Sequence, residues 1–318
     1  MNQLHCDNFA EWQRRQGHHV LKTDNSYWVE TGPRIFQAFP YHWVIEPDEL
    51  ELRSLLQEQK AIGLRYSTPC HAAAGKISYH VTYEGEAYRL EDLPKKARYD
   101  VRKGLAGVSI EPISFARLAT DGWRLRAETL ERQGRSGAES RVWWQRLCNS
   151  TEDLPGFETW GVLVEGQLAA SLIAFTCDDC CSILYQQSRT DFLSQGVNNA
   201  LTYEFTHEAV ARPQIKRLFY GLHSLDAPES VDQYKFRMRY VAKPVRQRVV
   251  FHPWAKPLFG TASYRLMRWL TAKQPDQTSL PKVEGMMRFY LEGQRPLAEQ
   301  SWPEALLEQK ETILNQAQ

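Results

Sequence analysis

Thr159-Trp160-Gly161-Val162-Leu163-Val164, the turn Glu165-Gly166-Gln167, and Leu168-Ala169-Ala170-Ser171-Leu172-Ile173-Ala174-Phe175 decide the fold. Two apolar runs rich in β-branched and aromatic residues flank a Glu-Gly turn, which predicts an antiparallel hairpin. A second turn at Cys177-Asp178-Asp179-Cys180 leads into Cys181-Ser182-Ile183-Leu184-Tyr185-Gln186-Gln187, so residues 157–188 read as a three-stranded meander. Asp191 to Gly196 links it to a helix in which Val197, Leu201, Phe205 and Ala209 fall four apart on one apolar stripe. Ile215 to Gly221 follows as a buried-type strand. A loop, the segment Tyr234-Lys235-Phe236-Arg237 and a last strand near 244–251 complete the unit.

Toward the N-terminus, residues 26–45 read as extended. Tyr27-Trp28-Val29-Glu30 stops at Gly32-Pro33, Ile35-Phe36-Gln37-Ala38-Phe39 follows, and Tyr41-His42-Trp43-Val44-Ile45 runs up to Pro47. Aromatic and β-branched density between Gly and Pro is a strand signature. Asp48 can cap the next helix, with Glu51 three residues on as in a capping box. Leu50, Leu52, Leu55, Leu56 and Ile62 give that helix an apolar face, and Gly63 suits its end. Lys76 to Tyr83 alternates, Glu84-Gly85 turns and Ala87 to Leu90 returns, which predicts a second hairpin. Residues 9–19 read as a short helix with Phe9 and Trp12 on one side, and 113–132 and 138–149 as further helices. From about 254 the chain reads as two or three helices with Pro- and Gln-rich links.

A length of 318 residues predicts about two domains and enough chain for a sizeable core. Thirty-nine basic residues against 38 acidic ones leave a formal charge of +1, which argues against a dedicated, strongly basic nucleic-acid binder while allowing a local basic patch. Hydrophobic residues at 42% and charged residues at 24% exclude wholesale disorder. Aromatic residues reach 12%, which points to a large core, a concave pocket, or both. Met1-Asn2-Gln3-Leu4-His5-Cys6-Asp7 has no basic stretch ahead of an apolar one, and no run approaches ~18 apolar residues, so neither a secretory signal nor a membrane span is expected. Six scattered cysteines then predict reduced thiols in a cytoplasm.

Several stretches can carry chemistry. Lys95, Lys96, Arg98, Arg102 and Lys103 lie on a short helix. Such a run commonly forms a solvated face. Arg98 and Arg102 are four apart and share a side, where two guanidiniums can grip a phosphate or carboxylate, and Tyr99 between them can stack on a ring. Ser194-Gln195-Gly196-Val197-Asn198-Asn199 sits at a strand-to-helix junction, where free N–H groups and the helix dipole suit phosphate. An ordinary cap and turn glycine account for the same residues. Tyr220-Gly221-Leu222-His223-Ser224 ends a buried strand, so His223 can act as a general base. Cys177-x-x-Cys180-Cys181 lacks a second ligand pair of suitable spacing for zinc, reads as a hairpin tip with surface thiols, and predicts no metal. No G-x-S-x-G elbow, phosphate-binding Walker loop or dinucleotide G-x-G-x-x-G occurs.

The element order over 157–250 resembles the second half of a GNAT-type N-acyltransferase. Lys95, Arg98, Val101, Arg102 and Lys103 resemble a basic segment of FemAB-like acyltransferases, and Tyr234-Lys235-Phe236 resembles that group's Phe-Lys stretch with Tyr in place of Phe. The resemblance covers about 80–250 and extends weakly to 26. It implies an α+β fold of two tandem GNAT-like halves with mixed, mostly antiparallel sheets and a helical C-terminal appendage. The expected division is 1–90 for a degenerate N-terminal half, 91–253 for the C-terminal half and 254–318 for the appendage.

By the same resemblance, Gln195, Gly196, Val197, Asn198 and Asn199 would hold the donor phosphates. Only Gln195-Gly196 remains of the usual glycine-rich loop, so acetyl-CoA is one donor and aminoacyl-tRNA another, as a co-substrate and not as a tightly bound cofactor. Lys235 would stabilise an oxyanion, Tyr234 would protonate the leaving group, and Tyr185 and Gln187 would line the acyl slot together with substrate-binding Arg98, Tyr99 and Arg102. The expected function is transfer of an acyl or aminoacyl group to a primary amine on a small molecule, glycan or peptide. One alternative is a non-catalytic GNAT-fold module for a phosphorylated or glycan ligand. Another is a membrane-surface acyltransferase on a lipid-linked acceptor, with peripheral contact through the amphipathic helix of Phe259, Leu266 and Trp269.

Overall fold

The structure is a computed structural model that describes residues 6–225, 230–273 and 279–317. The N-terminal five residues and the link at 274–278 lie outside them. In chain order the helices are α1 (Cys6–Arg15), α2 (Glu49–Glu58), α3 (Lys95–Leu105), α4 (Phe115–Arg132), α5 (Arg141–Asn149), α6 (Val197–Val210), α7 (Ser230–Arg237), α8 (Thr261–Lys273), α9 (Ser279–Glu292) and α10 (Lys310–Gln316). The strands are β1 (Val20–Lys22), β2 (Tyr27–Gly32), β3 (Ile35–Phe39), β4 (Gly63–Thr68), β5 (Lys76–Tyr83), β6 (Ser109–Pro112), β7 (Phe157–Val164), β8 (Gln167–Cys177), β9 (Cys180–Ser188), β10 (Arg217–Leu222) and β11 (Val241–Phe251). The chain forms two compact units from interleaved segments, 6–17, 81–221 and 230–241 in the first, and 18–80, 222–225, 242–273 and 279–317 in the second.

The first unit contains the expected meander. Its strands run in the order β10-β9-β8-β7-β6. β10 and β9 pair in parallel, while β9, β8, β7 and β6 pair antiparallel in turn, with registers such as Trp160↔Leu172 and Ile173↔Tyr185. The core is aromatic where α1 meets the meander: the Phe9 ring lies 5.0 Å from that of Phe175, which lies 4.4 Å from Phe157. Trp12 and Trp144 bury their rings and donate their indole N–H groups to Leu147 O and Leu118 O, each at 3.0 Å, so neither leaves a polar orphan. Ser114 and Ser140 cap α4 and α5 by accepting from Arg117 N and Trp143 N.

The second unit orders its strands β1-β2-β3-β4-β11, with β3 and β4 parallel. Asp48 caps α2 as expected, its Oδ1 accepting from Glu51 N at 2.7 Å. Leu52 and Leu56 of α2 pack with Trp28, Phe36 and Leu64. Helix α9 contributes to this unit's interior: Phe289 and Met286 pack with Phe251 and Val249. Lys76 Nζ donates to Ser301 O at 2.7 Å.

Local expectations need correction in five places. Residues 87–90 form no return strand; Tyr88 turns inward and donates to Met238 O at 2.6 Å. Tyr41 to Ile45 is irregular, its end held by Ile45 N donating to Ser67 O. Gly63 opens β4, and Lys60 takes the positive φ of 51° after α2. The first helix spans Cys6–Arg15, not 9–19, because residues 18–19 already lead into β1. The hairpin-tip thiols are not at the surface: Cys177, Cys180 and Cys181 are buried, and Cys6 and Cys177 are joined in a disulfide, against the expectation of reduced thiols throughout.

That bond closes a sequence separation of 171 residues. Reduction, or Cys177→Ser, is expected to lower stability by about 2–4 kcal/mol through the entropy returned to the unfolded chain. Urea unfolding with and without dithiothreitol measures it; coincident midpoints would show that the link contributes nothing.

Candidate active site

In the first unit the parallel pair β9/β10 is in register only at Arg217↔Cys180, Leu218↔Cys181 and Phe219↔Ser182. Beyond Phe219 and Ser182 each strand continues unpaired with the other, and side chains occupy the interval. Tyr220 OH donates to Gln186 Oε1. Gln186 Nε2 donates to Thr202 Oγ1 at 3.0 Å and to Asn198 O at 3.3 Å. Tyr234 OH lies 2.8 Å from Thr202 Oγ1 and donates to Asn198 O at 3.0 Å. Next to Tyr234 on α7, Lys235 Nζ donates to Asp232 Oδ1 at 2.8 Å and stands 5.2 Å from the Tyr220 ring centroid. The backbone opposite the ammonium is Gly221, where a Cβ would lie 3.8 Å from Nζ. Burial pushes the Tyr234 phenol up to about 12 and raises Tyr220 well above its ordinary value. Both phenols therefore hold their protons at neutral pH.

The N-terminus of α6 borders this network. Gly196 is its cap at φ 83°, with no side-chain capping bond, so Ser194 is not the cap. The αL backbone needs glycine. Helix α3 also crosses here so closely that a Cβ on Gly196 would meet Asp100 O at 2.5 Å. Of the five expected donor-site residues, Gln195 is exposed, Val197 is fully buried and Asn198 spends its amide on Ser188 Oγ at 3.0 Å. Asn199 Nδ2 contacts Met238 Sδ at 3.7 Å. The basic helix α3 buries Ala97, Val101 and Gly104 and leaves Lys95, Lys96, Tyr99, Arg102 and Lys103 exposed, with Arg98 half-buried. Lys96 Nζ lies 3.4 Å from Asp100 Oδ2, one turn along the same helix. A set of cations thus flanks a helix N-terminus within one unit.

Tyr185 and Gln187 lie on the opposite face of β9 from Gln186. Tyr185 sits under the Arg126 guanidinium at 5.0 Å and edge-on to Trp144. Gln187 is buried and donates to Ser171 Oγ at 2.8 Å, and its Oε1 finds no hydrogen-bond donor among the described residues. The residue of β9 that joins the tyrosine network is Gln186, which the expected set omitted along with Tyr220, Thr202 and Asp232. Two-residue alternation along β9 and the four-residue step from Asn198 to Thr202 on α6 were the available signals.

His223 belongs to the second unit, whereas Tyr234 and Lys235 belong to the first. Its ring stacks on Tyr79 at 4.4 Å, and its Nδ1 lies 3.2 Å from Ser78 Oγ. There it borders a cavity of about 710 Å³ walled by Ile35, Ile62, Phe251, Phe259 and Met286, with Arg65 and Lys282 also at its edge. These walls come from four distant stretches, and no local motif announces them. Among the described residues one group could ligate a metal, Cys6, Cys177 and Asp178, and its two sulfurs are bonded to each other.

No protein-family model matches the chain, and no curated protein matches it in sequence. Solved structures do match in shape. FemX superposes with a TM-score of 0.54 at 10% identity, covering 80% of this chain and 94% of FemX. The C-terminal domain (DUF2156) of a protein assigned as a lysylphosphatidylglycerol synthetase from Agrobacterium fabrum gives 0.54 at 12% identity, covering 84% and 94%. With the strand order of both units, these likenesses establish the α+β fold that the chain shares with FemX and with that domain.

Proposed function

We propose that the protein transfers an acyl group, and specifically an aminoacyl group from aminoacyl-tRNA, to a primary amine. The observation that carries this reading is the placement of Lys235 and Tyr234 side by side where β9 and β10 stop pairing, beside the α6 N-terminus and the cations of α3. The amine nitrogen would attack the ester carbonyl, forming the C–N bond and a tetrahedral oxyanion held by the Lys235 ammonium. The C–O bond would then break. Tyr234 would give its proton to the departing ribose oxygen and take one from the new amide nitrogen, so that it ends as it began. No step is assigned to His223.

The raised Tyr234 phenol favours the ester donor over the thioester. A departing alkoxide is a far stronger base than a departing thiolate, so a buried phenol that holds its proton tightly is better matched to the ester donor. Arg98, Arg102 and Tyr99 would meet the polyanionic donor, and the name of the Agrobacterium neighbour, which refers to lysine on a lipid headgroup, is in keeping with an aminoacyl donor.

Titration of the protein with aminoacyl-tRNA and with acetyl-CoA tests the choice. Aminoacyl-tRNA should bind with an affinity that falls steeply with salt, and Arg98→Ala with Arg102→Ala should weaken it about tenfold or more and flatten the salt slope. Binding of acetyl-CoA alone would overturn the donor assignment. Tight binding of aminoacyl-tRNA without turnover on any amine would favour a binding module, a reading the closed Tyr220–Gln186–Thr202–Tyr234 network also supports.

A further inference from the structure

From His252 to Lys273 the sequence carries Lys256, Arg265, Arg268 and Lys273 and no Asp or Glu, in a chain that is otherwise almost neutral. The same stretch exposes large apolar side chains: Trp254 is 57% exposed, Leu258 60%, Leu266 58% and Trp269 52%. Helix α8 buries none of its residues. Its inner side meets α9, where Tyr264 OH donates to Glu284 Oε1 at 2.8 Å. On its outer side Leu266 and Trp269 sit one turn apart, flanked by exposed Arg265, Arg268 and Lys273. The Lys273 ammonium lies 4.3 Å from the Trp269 ring centroid, on the same side.

We propose that this surface docks the protein on an anionic lipid bilayer. Two tryptophans suit the headgroup zone, where an amphipathic ring keeps one end apolar and one end wet. Two leucines offer the apolar area that drives shallow insertion. The four cations, with no acidic residue among them, complement a negatively charged leaflet. A nucleic acid would use the cations and the indoles but gives no purpose to exposed Leu258 and Leu266, so a bilayer fits the whole patch and a polynucleotide only half of it. Docking would be peripheral, since among the described residues no helix is long and apolar enough to cross a membrane. None of the patch residues is assigned a part in the transfer chemistry, so the proposal stands apart from that reading.

The test is co-sedimentation of the full chain with vesicles of equal parts phosphatidylglycerol and phosphatidylcholine, against phosphatidylcholine alone. The wild-type protein is expected to sediment with the anionic vesicles at least tenfold more strongly, with a blue shift of tryptophan emission. The double variant Leu266→Glu and Trp269→Glu should lose that binding with its circular dichroism unchanged. The charge-neutral variant Leu266→Ser and Trp269→Ser keeps all four cations and should still bind at least fivefold more weakly. Equal binding by wild type and the serine variant, absence of wild-type binding to the anionic vesicles, or tighter competition by a polynucleotide than by vesicles would each overturn the proposal.

Discussion

Lys235→Met is expected to lower kcat/KM for aminoacyl transfer by about 10²–10³-fold, the usual cost of losing one donor to a developing oxyanion, or roughly 3–4 kcal/mol. The ammonium is held in place rather than free to wander. Asp232 accepts from it at 2.8 Å and the Tyr220 ring lies beneath it, so little ordering is left to the moment of reaction. The variant also removes a cation from a carboxylate whose side chain is only 7% exposed, and that alone can destabilise the fold. The double variant Asp232→Asn with Lys235→Met separates the two effects. Stability should recover there, measured by urea midpoint, while activity should not. Activity within about threefold of wild type in Lys235→Met would sink the assignment of this side chain to the oxyanion.

The second large effect is on stability. Gly104→Ala is expected to cost about 3 kcal/mol or more. A Cβ on Gly104 would lie 2.3 Å from Gly196 O and 2.8 Å from Gly196 C, so the obstacle is backbone and no rotamer change relieves it. Helix α3 would have to withdraw from the start of α6, carrying Arg98 and Arg102 with it. Gly32→Ala, where a Cβ meets nothing within 4 Å, is the control and should stay within about 0.5 kcal/mol of wild type. Urea unfolding of both variants measures this. If Gly104→Ala matched the control, the close crossing of α3 and α6 would not exist in solution.

Where pattern and turn chemistry coincide, the sequence is readable at the level of single residues. The apolar runs Thr159–Val164 and Leu168–Phe175 flank Glu165-Gly166 and form the hairpin they describe, and Asp48 caps α2 through the expected Glu51 amide. Tyr41 to Ile45 shows the limit of the same rule. Its composition is that of a strand, but β-propensity largely measures fit to a pleated neighbour, and here the chain offers Ile45 an isolated bond to Ser67 instead. Within the candidate site, Tyr234 and Lys235 are singled out through the resemblance of Tyr234-Lys235-Phe236 to a Phe-Lys stretch, not by any local pattern. Gln186 is not, since only its pairing distance from Tyr220 and Thr202 distinguishes it from Gln187 one position on. The Cys6–Cys177 link and the gathering of residues 222–225, 242–273 and 279–317 with 18–80 depend on long-range partners such as β11 and β4, which no local pattern encodes.

The interleaving of the two units bears on how the molecule can be made. Helix α1 leaves the ribosome well before Phe175 and Cys177, against which it settles and which are synthesised some 170 residues later. At ordinary elongation rates that interval is roughly 10–30 s, for most of which Phe9 and Trp12 lack their native neighbours. The nascent chain is therefore a natural client for holding chaperones, and an N-terminal fragment ending before α5 would carry a sticky helix without Leu147, Phe157 or Phe175 to receive it.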